Sequence, residues 1–187
     1  MGDATGKGVP AALVMANTQS VLRAVAQRED ITPGQVLAEA NEVLYAYVPP
    51  HMFVTCFYGI LDAESGRLSY ANAGHNLPCK RDNSQAGELR ARGMPLGLMP
   101  GMDYEEKEIV LAPEDGVLFY SDGLVEAHDP KGEMFGFPRL RALIAEHGKK
   151  RPLVDSLLEE LYSFTGEGWE QEDDITLLVL ERSASRS

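Results

Sequence analysis

The change of texture at Pro49-Pro50 constrains the fold more than any other feature of the chain. Before it, apolar residues recur at helical spacing. Val36, Leu37, Ala40, Val43, Leu44 and Tyr47 form one stripe, opened by Thr32-Pro33-Gly34-Gln35, a capping box with proline at the first helical position. This predicts a helix over 33–48, stopped by the proline pair. Further upstream, Pro10 near a first turn and Leu13, Val14, Val21, Leu22 and Val25 on helical spacing predict a helix over about 9–27. After the prolines comes FVTCFYGILD, rich in β-branched and aromatic residues, then Ala63-Glu64-Ser65-Gly66 and RLSYANAG. That is the pattern of two antiparallel strands joined by a short loop.

Strand patterns continue through 88–91, 104–110 and 116–121, with glycine and proline between them. Helical periodicity returns in PRLRALIAEHG, ended by Gly148, and in PLVDSLLEELYSFTG, ended by Gly166, before the apolar run ITLLVLE closes as a buried strand. Helices, then mostly antiparallel strands, then helices again describe an α+β chain. Its 187 residues suit one compact domain, with residues 183–187 expected as a disordered tail.

The net charge of −12, from 17 basic and 29 acidic residues, argues against nucleic acid as a partner and is compatible with divalent cations. Cys56 and Cys79 lack the spacing of a zinc site or a disulfide framework, which points to a reducing, cytoplasmic setting. No run of about 18 apolar residues offers a membrane span, and the N-terminus lacks the form of a signal peptide.

The opening stretch Gly2-Asp3-Ala4-Thr5-Gly6-Lys7-Gly8 has the look of a phosphate-binding loop but fails its requirements. A Walker A loop needs four residues between its first glycine and the Gly-Lys pair, and a hydroxyl after the lysine; here three residues intervene and the hydroxyl position is Gly8. What is left is an acid, Asp3, at the start of a glycine-rich turn. Asp122 follows the apolar run VLFYS, and Asp173-Asp174 precede ITLLVL. Carboxylates at strand ends are held rigidly at a sheet rim, and several that converge repel unless a cation lies between them. Oxygen ligands without His or Cys favour Mg²⁺ or Mn²⁺ over zinc. Taken singly, Asp122-Gly123 also reads as an ordinary turn and Asp173-Asp174 as a solvated edge.

Several motifs occur in order: Gly2 to Gly8 with Ala11-Ala12, Phe53-Val54-Thr55, Asn72-Ala73-Gly74-His75-Asn76-Leu77-Pro78, Pro95-Leu96-Gly97, Tyr120-Ser121-Asp122-Gly123-Leu124-Val125-Glu126-Ala127 and Asp173-Asp174-Ile175-Thr176-Leu177. The series, from residue 2 to about 180, closely resembles the sporulation stage II protein E (SpoIIE-like) branch of the metal-dependent protein phosphatase 2C superfamily. The resemblance implies a four-layer α-β-β-α sandwich of antiparallel sheets flanked by helices, with two Mn²⁺ or Mg²⁺ ions at one end of the sheets. It implies hydrolysis of phosphoserine or phosphothreonine, commonly on anti-sigma-factor antagonists of the STAS type. By the same resemblance Asp3 bridges both metals, the backbone carbonyl of Ala4 is a further ligand, and Asp122 and Asp173 hold one metal of the pair. Asp174 is the weaker member of its doublet. Lys7 either approaches phosphate or is a solvated lysine, and His75 is either a general acid or a brace for the loop after a strand, the second being favoured. Phe53-Val54-Thr55 and Met94 to Leu98 read as core and turn, and Trp169 as loop packing.

Members of this family carry a glycine-glycine-aspartate motif upstream of the segment that begins here. The expectation is therefore a phosphatase domain over 1–182 that lacks the N-terminal strands, cut from a longer protein with an upstream sensor or regulatory domain that docks on the first two helices. A homodimer is left open. The competing readings are a degenerate phosphatase domain that binds a phosphoprotein or regulatory partner without turnover, and an unrelated divalent-cation-binding module.

Overall fold

The computed structural model describes residues 1–82, 85–147, 151–171 and 173–183. The chain divides into two compact units: Met1–His75 with Arg90–Val110, and Asn76–Leu89 with Leu111–Ser187. Each is built on its own antiparallel sheet.

In the first unit, strand β1 (Gly2–Ala4) leads to helices α1 (Val9–Val25) and α2 (Pro33–Tyr47), then to β2 (Val54–Asp62), β3 (Arg67–Ala73) and, after an excursion into the second unit, β6 (Glu106–Val110). The sheet order is β1-β2-β3-β6. The capping box forms as the sequence requires: Gln35 N donates to Thr32 Oγ1 and Thr32 N donates to Gln35 Oε1. The β2–β3 hairpin closes at the pair Asp62–Arg67, where Asp62 Oδ1 accepts from the amides of Glu64 and Ser65, and Gly66 takes a φ of 77°. Aromatic stacking of Phe57 on Tyr70, with ring centroids 5.3 Å apart, adds a cross-strand contact.

The core of this unit gathers Leu37, Leu44, Val54, Cys56, Ala71 and Leu96. The predicted apolar stripes are narrower than their periodicity implied. Val36, Leu37, Ala40 and Leu44 are buried, but Val43 and Tyr47 on α2 and Leu13 on α1 are exposed. Periodicity fixes a helix face; only the neighbouring surface decides how wide a face is covered.

The second unit comprises β4 (Cys79–Asp82), β5 (Gln85–Glu88), β7 (Gly116–Tyr120), α3 (Asp122–Val125), α4 (Gly136–Glu146), α5 (Leu153–Thr165) and β8 (Leu177–Glu181), with sheet order β5-β4-β7-β8. Its core joins Leu118 and Tyr120 of β7, Leu124 of α3, Leu140 and Ile144 of α4, and Leu157 and Leu161 of α5. The sequence places Leu153, Leu157 and Leu161 one turn apart on α5, so all three bury on one face. Gly166 ends α5 at a φ of 78°, its amide returning to Tyr162 O at 3.1 Å. Trp169 packs against this core as expected of a loop residue.

Several expectations are corrected. The closing strand is not buried: β8 ends the sheet order, none of its residues is buried and Leu178 is exposed. The strand expected from residue 104 begins at Glu106. Gly2–Ala4 is a strand, not merely the start of a turn. The strand expected over 88–91 is displaced, since β5 ends at Glu88 and pairs with β4 in a hairpin the sequence did not reveal. Asp122 heads the short helix α3 rather than a simple turn. The helix foreseen to residue 27 stops at Val25, and α4 begins two residues before the predicted Pro138. The expected stop at Gly148 and residues 184–187 of the tail lie outside the described residues.

Candidate metal centre

Asp3 sits in the middle of β1, paired in register with Thr55 of β2. The hydrogen bonds at either end of this short ladder, Phe57 N to Met1 O at 2.8 Å and Thr5 N to Phe53 O at 3.0 Å, fix which pairs exchange bonds. Alternation along an antiparallel pair makes Asp3–Thr55 a bonded pair and Ala4–Val54 an unbonded one. Val54 confirms the phase, because its amide and carbonyl are both engaged by Leu96, at 3.0 and 2.8 Å. The carbonyl of Ala4 therefore points away from β2, on the side of β1 opposite its strand partner. This orientation is what a backbone ligand requires.

The chain leaves β1 sharply. Thr5 is pinned to Phe53 through its amide and hydroxyl, and Gly6 and Gly8 follow with φ of 94° and 75°. Left-handed backbone at both positions suits glycine, and it lets α1 begin at Val9, a few residues past Asp3. The opening glycines thus serve a turn directly behind the acid. Lys7 is exposed.

Beneath Asp3, Thr55 Oγ1 lies 3.4 Å from Asp3 O and 3.0 Å from His75 Nδ1. His75 is buried, and Asn72 closes its loop from both sides: His75 N donates to Asn72 Oδ1 at 2.8 Å and Asn72 Nδ2 donates to His75 O at 2.9 Å. These contacts describe a bracing histidine, as the sequence suggested.

In the second unit, Asp122 and Asp173 occupy two segments tied together at the end of the β7–β8 ladder. Ser121 N donates to Thr176 O at 3.1 Å, Thr176 N to Ser121 Oγ at 2.9 Å, and Ser121 Oγ to Asp174 O at 2.8 Å. Gly123 packs so closely that a Cβ there would stand 2.7 Å from Asp174 O. Asp122 Oδ1 accepts from Gly123 N at 3.0 Å, and Asp173 Oδ1 accepts from Asp174 N at 2.8 Å. Each carboxylate is thereby oriented by the main chain through one oxygen.

Asp3 and Ala4 belong to the first unit, and Asp122 and Asp173 to the second. Among the described residues no group of three or more His, Cys, Asp or Glu side chains is gathered that could hold a metal ion. The donor chemistry itself, carboxylates with one backbone carbonyl, fits a hard divalent ion. Sequence reasoning missed Thr55, Ser121, Gly123 and Thr176 as supports of the acids. A serine just before an acid and a threonine two residues after another were visible, but nothing local marks them as partners.

Residues 1–183 match the family described as Stage II sporulation protein E (SpoIIE). Phosphoserine phosphatase RsbU of Bacillus subtilis (strain 168) is 31% identical over 187 residues, an alignment that covers 97% of this chain and 54% of RsbU. Protein IcfG of Synechocystis sp. is 34% identical over 135 residues, 71% of this chain and 21% of that protein. The chain thus spans about half the length of RsbU and a smaller share of IcfG. Among solved structures, the SiaA-PP2C domain of Pseudomonas aeruginosa superposes with a TM-score of 0.80 at 23% identity, covering 96% of this chain and 72% of that one. The PP2C phosphatase domain of SpoIIE from Bacillus subtilis, solved with a fragment of its regulatory domain, gives 0.76 at 21% identity, with 95% of this chain and 52% of that one covered. The two antiparallel sheets with their helices are those of the PP2C fold, and the chain belongs to the Stage II sporulation protein E (SpoIIE) family.

Proposed function

We propose that this chain is the phosphatase domain of a metal-dependent protein serine/threonine phosphatase acting on phosphoserine or phosphothreonine of a regulatory protein. The observation that carries the reading is the unbroken family match over residues 1–183, joined to 31% identity with a protein named phosphoserine phosphatase. Asp3, the Ala4 carbonyl, Asp122 and Asp173 are the proposed ligands of two Mn²⁺ or Mg²⁺ ions. A relative, the SpoIIE phosphatase domain, has been solved after presoaking with Mn, and RsbX in complex with magnesium. When bound, such ions supply Lewis acidity, lowering the pKa of water and offsetting charge on phosphoryl oxygens. The residues of the chain contribute orientation: β1 holds Asp3 by its ladder, and the Ser121 and Gly123 contacts hold the two acids of the second unit. No side-chain nucleophile is needed. An anti-sigma-factor antagonist of the STAS type is the proposed substrate, an upstream sensor or regulatory domain the proposed controller, and the cytoplasm the proposed setting. Among the described residues no helix is long and apolar enough to cross a membrane.

One observation favours a second reading, a domain that binds a phosphoprotein without turnover: the lack, among the described residues, of three grouped metal-ligating side chains. The two are separated by measuring phosphate release from a phosphoserine STAS-type protein across a Mn²⁺ titration. Turnover that rises with Mn²⁺ and ends with EDTA supports the phosphatase. Binding of the phosphoprotein with no release at any Mn²⁺ concentration overturns it.

A further inference from the structure

Ser121 stands at the N-cap of α3, where a serine hydroxyl ordinarily accepts a bond from an amide of its own helix. Here it makes no such bond. The register of β7 and β8 pairs Tyr120 with Leu177, so the next pair in the ladder is Ser121 with Thr176. Ser121 N meets Thr176 O, as antiparallel geometry demands, but the returning amide of Thr176 goes to the Ser121 side chain, at 2.9 Å. The hydroxyl gives its own proton to Asp174 O at 2.8 Å. One side chain thus accepts from one residue and donates to another, 55 and 53 positions away, in the segment that carries Asp173. On the other side, Gly123 closes against the same Asp174 carbonyl.

We infer that Ser121 is a positioning residue for the proposed metal centre, its hydroxyl fixing the separation between Asp122, which follows it, and Asp173, which precedes its acceptor. The inference rests on the metal reading given above. A purely structural ladder closure would need, beside the main-chain bond that Ser121 already makes, only an acceptor for the Thr176 amide. The bond donated to Asp174 O goes beyond that and acts on the residue that follows Asp173, and accepting and donating together demand a hydroxyl. Threonine can supply them and alanine cannot.

The test compares the parent chain with Ser121→Ala, Ser121→Thr and Asp122→Asn, using Mn²⁺ alone as the probe. Two quantities are read: the Kd for Mn²⁺ by calorimetry, and hydrogen exchange of the Thr176 amide in metal-free protein. Ser121→Ala is expected to raise the Kd about tenfold and to speed Thr176 exchange before any metal is added, while Ser121→Thr restores both. Should Ser121→Ala fail to fold, Ser121→Cys, close in size but a weak donor and acceptor, is expected to give the same pair of changes. An unaltered Kd with faster exchange would reduce the hydroxyl to a ladder closure and overturn the inference while leaving the metal reading intact. A parent that takes no Mn²⁺, or an Asp122→Asn variant that binds as the parent does, would overturn the metal reading and the inference with it.

Discussion

Thr55 Oγ1 lies 3.0 Å from Nδ1 of His75, and Thr55 is also the register partner of Asp3, so the histidine is anchored one residue away from a proposed metal ligand. Its own main chain is held by the Asn72 side chain, which is buried and bonds both the amide and the carbonyl of His75. Asn72→Ala leaves both groups unpartnered by side chain, and is expected to lower unfolding stability by about 1–3 kcal/mol. Urea denaturation of the variant measures this. A loss below about 0.5 kcal/mol would show that the loop closes without the asparagine.

Asp122→Asn removes one proposed anionic ligand while its carbonyl-like oxygen can still accept from Gly123 N, as Asp122 does at 3.0 Å. The proposed phosphatase turnover is expected to fall by about a hundredfold or more, equivalent to roughly 2.7 kcal/mol of transition-state stabilisation. Stability should stay within about 0.5 kcal/mol of the parent, since the position is at a sheet rim rather than in the core. Phosphate release and a thermal melt on the same preparation give both numbers, and unchanged turnover across a Mn²⁺ titration would remove Asp122 from the site.

Gly123→Ala and Gly132→Ala separate two reasons for glycine. A Cβ at Gly123 would stand 2.7 Å from the Asp174 carbonyl, so one of the two acid-bearing segments must move. The expected cost is about 1–3 kcal/mol, together with weaker Mn²⁺ binding. Gly132 has open space around its Cβ direction but a φ of 82°, so its substitution carries only backbone strain, about 1–2 kcal/mol, with Mn²⁺ binding unaffected. Calorimetric titration of the two variants distinguishes them, and equal loss of metal affinity in both would contradict the argument.

Burial pushes the Cys56 thiol up to about 11 from the ordinary 9.0 and raises Cys79 as well. Tyr104 and Tyr120 are raised by burial too, which adds loss of the same sign beginning near pH 10. A group whose folded-state pKa lies above its unfolded value contributes stability fully present below the unfolded pKa and lost as pH rises toward the folded one. For Cys56 that loss runs from about pH 9 to about 11. Melting temperature is therefore expected to decline steadily over this window, and Cys56→Ala should flatten part of the decline. A melting temperature constant from pH 8.5 to 11 would contradict the burial of these groups.

The local instructions were legible from the chain alone. Thr32 and Gln35 form the capping box their spacing announces, Gly66 makes the turn between two strands, and Leu153, Leu157 and Leu161 line one face of a helix. Each depends on residues within about one turn of one another, so composition and spacing suffice. The order of the acid-bearing motifs likewise points to the family.

What tertiary structure decided was every pairing made across a long stretch of chain. Gly2–Ala4 becomes a strand because it meets residues 54–56, Cys79–Asp82 and Gln85–Glu88 become a hairpin that docks on β7, and Ser121 turns its hydroxyl from its own helix to Asp174. Strand propensity depends on the neighbours that burial and pairing supply, and a short polar segment such as CKRD carries too little pattern of its own to reveal them. The identity of the acids is written in the sequence; how the backbone segments that carry them are held follows from hydrogen bonds between residues about 50 positions apart, which only the folded chain brings into reach.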